Sequence, residues 1–295
     1  MPAIAISAVV HVTQQRWATM DRPLRPRPPR DVKVVAHRGA SLDAPENTAA
    51  AFDLALEQGA DALELDVHRT ADDRLVVWHD DTLERTARTA GDIKPGVISE
   101  IRFDDFALCD AGAWFNDRFP ARAREEYVGL CPLTLEDVLR RYGHHTELFI
   151  ELKQAERHGS MVPLVVELLD AYTHPENRHR ILSTDAASLI KLHCLRPNVP
   201  LVQVLPHRGS WELRLSEIAR YAEAISPLRS IAGANMIAAA RWRGLEVYPH
   251  TVNDGLEARR LAELGADGII SDEPAMLKAA LEPHEVREPR RPALL

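Results

Sequence analysis

From Val32 to Ser271 the chain alternates short β-rich runs with stretches of helical spacing, and this rhythm restricts the fold more than any other feature of its 295 residues. Strand and helix in alternation build a parallel sheet whose crossovers are helical. The predicted strands are Val32–Ala36, Ala62–Val67, Leu75–Trp78, Glu147–Leu152, Arg180–Ser183, Pro200–Leu205, Ser230–Gly233, Leu245–Tyr248 and Gly268–Ser271. These nine are one more than a closed (β/α)8 barrel holds. The surplus falls at Leu75–Trp78: only Arg69 to Arg74 separate it from the preceding run, and a parallel crossover needs about a dozen residues. That pair is expected to be antiparallel.

The ends of the chain do not share the rhythm. Residues 22–30, Arg-Pro-Leu-Arg-Pro-Arg-Pro-Pro-Arg, join proline to like charge, so residues 1–30 read as a flexible appendage and 282–295 as a flexible tail. Residues 31–281 remain, close to the roughly 250 residues of one barrel. The rhythm breaks between Asp80 and Pro132, where aromatics and charges mix, as in an inserted subdomain. The expected fold class is α/β, a TIM (β/α)8 barrel with a small insertion at about 80–132.

Charge and cysteine content narrow the partners. Lys+Arg 36 against Asp+Glu 44 leaves a net −8, which opposes general binding to nucleic acid or anionic membrane. An anionic partner would need local positive charge. Cys109, Cys131 and Cys194 are odd in number and hold no C-x-x-C pair, as expected of reduced thiols in the cytoplasm. No apolar run approaches the ~18 residues of a membrane helix. The apolar start at Ile4 to Val10 has no preceding basic residue and no clear cleavage site, which disfavours a secretory signal.

Two helices are legible from their caps. Glu46–Gln58 places Phe52, Ala55 and Leu56 on one face and stops at Gly59; Thr134 and Asp137 have capping-box spacing for a helix through Tyr142. Leu56–Leu63 and Ala262–Ile269 share one order of helix, glycine, aspartate and strand, the mark of equivalent turns into a strand.

The chemistry concentrates at strand ends. In Leu63-Glu64-Leu65-Asp66-Val67, side chains alternate, so Glu64 and Asp66 share a face. Two carboxylates on one face of a covered strand repel and resist desolvation unless a cation lies between them, and Mg²⁺ or Ca²⁺ would serve. Glu151 and Lys153 repeat the spacing. One such strand also suits a sheet with a solvated face; two in a chain of covered strands favour a site. His37 ends the first strand, where barrel enzymes place catalytic groups, and Arg38 follows it. His79 ends the short strand, and folding back on Glu64–Val67 would set it opposite Asp66 or Glu64. Two histidines, three carboxylates, an arginine and a lysine suit an anionic phosphorus ester.

The residues His37-Arg38-Gly39-Ala40, Pro45-Glu46-Asn47-Thr48, Gly59-Ala60-Asp61, Glu64-Leu65-Asp66-Val67, Val76-Val77-Trp78-His79-Asp80, Arg85-Thr86, Glu151-Leu152-Lys153, Thr251-Val252-Asn253 and Gly265-Ala266-Asp267-Gly268-Ile269-Ile270-Ser271-Asp272 together resemble the glycerophosphodiester phosphodiesterase family. The matches run in order from about Val34 to Pro274. The resemblance implies metal-dependent hydrolysis of a small-molecule glycerophosphodiester to sn-glycerol 3-phosphate and an alcohol. It makes His37 and His79 the general acid and base, Glu64, Asp66 and Glu151 the ligands of one divalent cation, Ca²⁺ or Mg²⁺, and Arg38 and Lys153 the phosphate holders. The neighbouring glycerol hydroxyl would attack first, through a cyclic phosphate. One departure stands out: the family usually has Trp before Thr-Val-Asn, and here it is His250. His250 is then a substrate contact of a different kind, which makes a lysophospholipase D acting on lysophospholipid an alternative. A barrel that binds a phosphorylated ligand without turnover is a third reading.

Other histidines carry less. His207-Arg208-Gly209 repeats the His37 tripeptide but follows Pro206 and reads as a loop; His144 and His145 suit a helix end; His68 can share a face with Asp66. Trp114, Phe115 and Phe119 form either a local core or a substrate lid.

Overall fold

A computed structural model describes residues 32–89, 96–157, 159–173, 179–205 and 211–282. The Val, Ile and Leu runs form one sheet of nine strands: β1 (Lys33–His37), β2 (Ala62–Arg69), β3 (Leu75–Val77), β4 (Glu147–Leu152), β5 (Arg180–Ser183), β6 (Leu201–Leu205), β7 (Ala224–Pro227), β8 (Glu246–Val247) and β9 (Gly268–Ser271). Eight pair in parallel in the order β8-β7-β6-β5-β4-β2-β1-β9, and β3 pairs antiparallel with β2 as its short connection requires. Across β8 and β9 the N–H groups of Asp267 and Ile270 donate to the carbonyls of Val247 and Pro249 at 2.9 and 3.0 Å, which draws the two ends of the sheet into a barrel.

The helices are α1 (Ala49–Glu57), α2 (Phe103–Phe106), α3 (Ala113–Arg118), α4 (Leu135–Tyr142), α5 (Met161–Tyr172), α6 (Ala186–Leu195), α7 (Trp211–Ile218), α8 (Ala234–Trp242), α9 (Gly255–Glu263) and α10 (Pro274–Leu281). The alternation in β2 sorts its side chains as expected. Leu63, Leu65 and Val67 pack outward in one buried cluster with Phe52, Ala55, Val138 and Leu139. Ala62 joins the inner cluster with Val35, Phe149, Val202, Tyr248 and Ile270. Each fully buried Leu or Phe contributes about 2 kcal/mol, so the two layers fix the barrel and, through β2, the direction of every polar side chain between them.

Charged residues close one end. Arg180 lies between the rings of Phe149 and Tyr248 and reaches Glu147 and Glu246, each at 2.7 Å. Glu147, Arg180 and Glu246 each begin a strand, so this plug fills the amino-terminal mouth and leaves the carboxyl ends of the strands open for a site.

Several predicted elements shift. Ser230–Gly233 is not a strand; β7 is Ala224–Pro227 instead. Ala, Ser and Pro have weak strand preference, and the pairing of Ala224-Ile225 with both β6 and β8 decides the matter. The helix expected from Glu46 starts at Ala49, because Thr48 is its N-cap and leaves Glu46 and Asn47 in the preceding loop. Thr134 and Asp137 form the capping box of α4. Trp114, Phe115 and Tyr127 pack with Ala44 and Ala51, so the aromatics between β3 and α4 make a local core. The three cysteines are free, Cys109 buried and the others exposed. Among the described residues no helix is long and apolar enough to cross a membrane. His207-Arg208-Gly209 lies outside the described residues.

Candidate active site

The predicted carboxylates meet at the carboxyl ends of β2 and β4. Register pairs Asp66 with Glu151, and ligand oxygens of Glu64, Asp66 and Glu151 lie within 4.8 Å of one another. Lys153, one residue past β4, sets Nζ 2.9 Å from Asp66 Oδ1 and 3.0 Å from Glu151 Oε1. Burial and then the charge of Asp66 push the Glu64 carboxyl up to about 8. Burial also opposes ionising Asp66, but Lys153 and Arg38 outweigh it and hold this carboxyl far below the ordinary range.

The loop after β1 folds over this cluster. Arg38 adopts φ +56°, a left-handed conformation that few residues other than glycine take, and its N–H donates to Glu64 Oε2 at 3.0 Å. Its guanidinium donates to Glu46 Oε1 at 2.9 Å. Gly39 follows at φ +84°, and a Cβ there would lie 2.6 Å from the Ala51 backbone, so the loop can seat on α1 only as glycine. Asn47, also left-handed at φ +58°, donates from Nδ2 to Asp66 Oδ2 at 2.9 Å.

Both histidines stand at the rim, each tied by Nδ1 to an aspartate. His37 Nδ1 is 2.6 Å from Asp272 Oδ1, and His79 Nδ1 is 2.6 Å from Asp80 Oδ1. An ionised carboxylate only accepts, so each ring carries a proton on Nδ1 and has Nε2 left to take up or give a second. Burial opposes charge on His37, yet the bond to Asp272 and the charge of Glu64 outweigh it and raise its basicity; His79 goes the other way, lowered by burial and by Arg38 and Lys153 despite Asp66. The expected register does not hold. Val67 pairs with Val77, so Trp78 lies opposite Asp66, its N–H bonded to the Asp66 carbonyl, and His79 falls beyond the ladder. The strand ends there because the chain turns toward Asp80, while His68 Nε2 bonds the His79 carbonyl at 3.0 Å.

Several residues to which the sequence assigned no role complete the arrangement. Asp272 is fixed by Ser41 Oγ at 2.9 Å and Asn253 Nδ2 at 2.6 Å as well as by His37. Arg85 donates to both oxygens of Asp80 and both of Glu46, linking the neighbour of His79 to the partner of Arg38. His250, expected as a substrate contact, lies beyond β8 with Nδ1 2.8 Å from Ser226 Oγ, near enough to His37, Lys153 and Arg38 for their charges to act on it. The signals for Asp80 and Asp272 were an acid directly after a histidine and an acid directly after the last strand.

The donor set fits a hard divalent cation. Its atoms are carboxylate oxygens, and Asp66 Oδ1 is buried without a hydrogen bond of proper geometry despite the nearby Lys153. Arg38 Nε is likewise buried and unbonded, 3.3 Å from Asp66 Oδ2, a donor suited to an anion.

Residues 37–276 match the family described as the Glycerophosphoryl diester phosphodiesterase family. The chain belongs to that family. Membership places it among the phosphoric diester hydrolases. A glycerophosphodiester phosphodiesterase of Bacillus subtilis (strain 168) is 34% identical over 255 residues, covering 83% of this chain and 85% of the relative. Two solved structures share the barrel. A glycerophosphodiester phosphodiesterase from Agrobacterium tumefaciens str. C58 is 30% identical with TM-score 0.69, covering 84% of this chain and 99% of that one. An Oleispira antarctica phosphodiesterase, solved in complex with the product sn-glycerol-3-phosphate, is 26% identical with TM-score 0.74, covering 85% and 97%.

Proposed function

We propose that this member of the glycerophosphoryl diester phosphodiesterase family hydrolyses glycerophosphodiesters to sn-glycerol 3-phosphate and an alcohol, by acid–base catalysis at His37 and His79. The observation that carries this reading is the symmetry of the two histidines: each has Nδ1 fixed on an aspartate at 2.6 Å, and each lies close enough to the carboxylate cluster for one of its acids, Glu64 at His37 and Asp66 at His79, to act on the ring. Two oriented imidazoles are what a step needs when one proton must leave a nucleophile and another must reach a departing alkoxide.

In the first step one imidazole Nε2 takes the proton of the glycerol hydroxyl next to the phosphodiester, and that oxygen attacks phosphorus. The other histidine enters the step as imidazolium, protonated on both nitrogens, and gives its Nε2 proton to the departing alcohol. Hydrolysis of the resulting cyclic phosphate reverses the roles with water as nucleophile. Arg38, already bent toward the cluster by its backbone, and Lys153 hold non-bridging oxygens and balance charge as it grows. Glu64, Asp66 and Glu151 would hold one Ca²⁺ or Mg²⁺, which supplies Lewis-acid stabilisation of the phosphoryl group. Cys109, Cys131 and Cys194 are all free, which fits a reducing compartment such as the cytoplasm.

The test is a coupled assay for glycerol 3-phosphate over glycerophosphocholine and glycerophosphoethanolamine, with EDTA and then Ca²⁺ or Mg²⁺ added back. Release that EDTA stops and cation restores supports the reading. Absence of release from either diester defeats it, and indifference to EDTA removes the cation.

A further inference from the structure

We propose that His68 is a positioning residue for His79: its ring holds the His79 carbonyl and so sets where the His79 imidazole stands relative to the carboxylates of Glu64, Asp66 and Glu151. The inference rests on the proposed function above, which makes His79 one of the two proton-transfer groups.

The sheet cannot offer His79 a backbone rung. Val67 of β2 pairs with Leu152 of β4 on one edge and with Val77 of β3 on the other. β4 keeps its own edge from Ala62 to Val67, so β1, which pairs with Ala62 to Glu64, shares the edge that β3 uses. The two chains approach each other along that edge from opposite directions, β1 parallel to β2 and β3 antiparallel. β1 ends with His37 paired to Glu64. Counting back from the Val67 and Val77 pair, His79 would have to pair with Leu65, the very next residue of β2. Two chain ends cannot sit one residue's rise, about 3.3 Å, apart on one edge. The last backbone bond is therefore the Trp78 N–H to the Asp66 carbonyl at 3.0 Å, and His79 leaves the sheet.

His68 supplies the next bond from its side chain. It follows Glu64 and Asp66 at the same two-residue spacing, so all three share one face of β2, and all three are buried. A carbonyl only accepts, so the 3.0 Å contact is His68 Nε2–H donating to the His79 carbonyl, whether the ring carries one proton or two. One strand thus carries two carboxylates of the candidate cation site and the donor that pins the His79 main chain. The pinned carbonyl lies between the Cα of His79 and the backbone of Asp80, whose carboxylate orients the ring at 2.6 Å. Its release would shift both the ring and its orienting acid, and a misplacement of about 1 Å can cost on the order of 100-fold in rate. An apolar side chain could fill the volume of His68 without making the bond, so substitution separates the two.

The experiment measures kcat and KM for release of glycerol 3-phosphate from glycerophosphocholine, at saturating Ca²⁺ or Mg²⁺, in the full-length wild type, His68→Gln, His68→Met and His68→Asn, with melting temperatures alongside. The Gln amide donates at nearly the reach of the histidine Nε2, Met has that length without a donor, and Asn has the donor one methylene short. His68→Met and His68→Asn should lower kcat about tenfold with KM changed by less than about twofold, and His68→Gln should recover most of the loss. Full kcat in His68→Met, equal losses in His68→Met and His68→Gln, or activity that falls only in proportion to unfolded protein overturns the proposal. If His68→Met does not fold, His68→Gln against His68→Asn decides in the same way, and equal losses overturn it. A wild type inactive on glycerophosphocholine and glycerophosphoethanolamine overturns the parent reading instead, and this inference with it.

Discussion

His37 and Asp272 stand 235 positions apart in the chain and 2.6 Å apart in space, joined because β1 and β9 are neighbours in the closed barrel. Asp272 is itself clamped by Ser41 and Asn253, and the His37 ring on one side with two donors on the other holds its carboxyl down to about 2 despite burial. It is thus an anion over the whole working range, able to fix the Nδ1 proton of His37. Asp272→Asn would remove that charge and let the amide bond either tautomer. Turnover should fall on the order of 100-fold or more, with little change in KM. The raised basicity of His37 should fall as well, moving the corresponding limb of the pH–rate profile to lower pH. An unchanged profile with unchanged kcat would refute the positioning role.

Arg85 ties two parts of the site that the backbone does not connect. It spans Asp80, which orients His79, and Glu46, which orients Arg38. Its side chain is 43% exposed, so its ion pairs contribute under about 1 kcal/mol to stability, and its worth lies in geometry. Arg85→Met is expected to lower kcat about tenfold while the melting temperature barely moves. Arg85→Lys should recover little, since an ammonium cannot present the paired donors that two carboxylates engage here. A variant that melts early and loses activity only in proportion to unfolded protein would assign Arg85 a structural role.

How far the sequence anticipated this follows from which signals were local. The face shared by Glu64 and Asp66, the Thr134 cap and the antiparallel return of Leu75–Val77 depend on spacing within one element, and each appears as spacing predicts. β7 was misplaced because in Ala224-Ile225-Ser226-Pro227 only Ile225 prefers a strand, and the segment is held by its neighbours on both sides. Asp272, Arg85 and Ser226 escaped for a similar reason: their partners lie 235, 39 and 24 residues away, and only barrel closure and the seating of the β3–α4 stretch bring them together.

Glu64 makes cation binding a proton-releasing event. Its carboxyl is pushed up to about 8 by burial and by Asp66, so near pH 7 it is largely protonated until a cation displaces the proton. Isothermal titration with Ca²⁺ or Mg²⁺ in two buffers of different ionisation enthalpy should show release of about one proton per ion at pH 7, and less at pH 9. Glu64→Gln should bind more weakly and release none. The same titration followed by melting should stabilise the wild type by ~2.7 kcal/mol at a hundred times the dissociation constant. Proton release that persists in Glu64→Gln would place the titrating group elsewhere.

His250 predicts an acid-sensitive fold. Its value in the folded protein is about 4 against an ordinary 6.5, because burial and three neighbouring cations disfavour its charged form. Between those values the unfolded chain binds the proton and the folded one does not, so stability rises with pH across this window and is lost as pH falls from 6.5 toward 4. Fully expressed, the difference is worth about 3 kcal/mol. Denaturant unfolding at pH 7 and pH 4.5 should show that loss in the wild type, over and above the contributions of other groups. His250→Gln, which cannot titrate, should lose about 2 to 3 kcal/mol less across the same interval. Parallel losses in the two proteins would mean that the ring gains solvent or a carboxylate partner in solution and is not the source of the acid sensitivity.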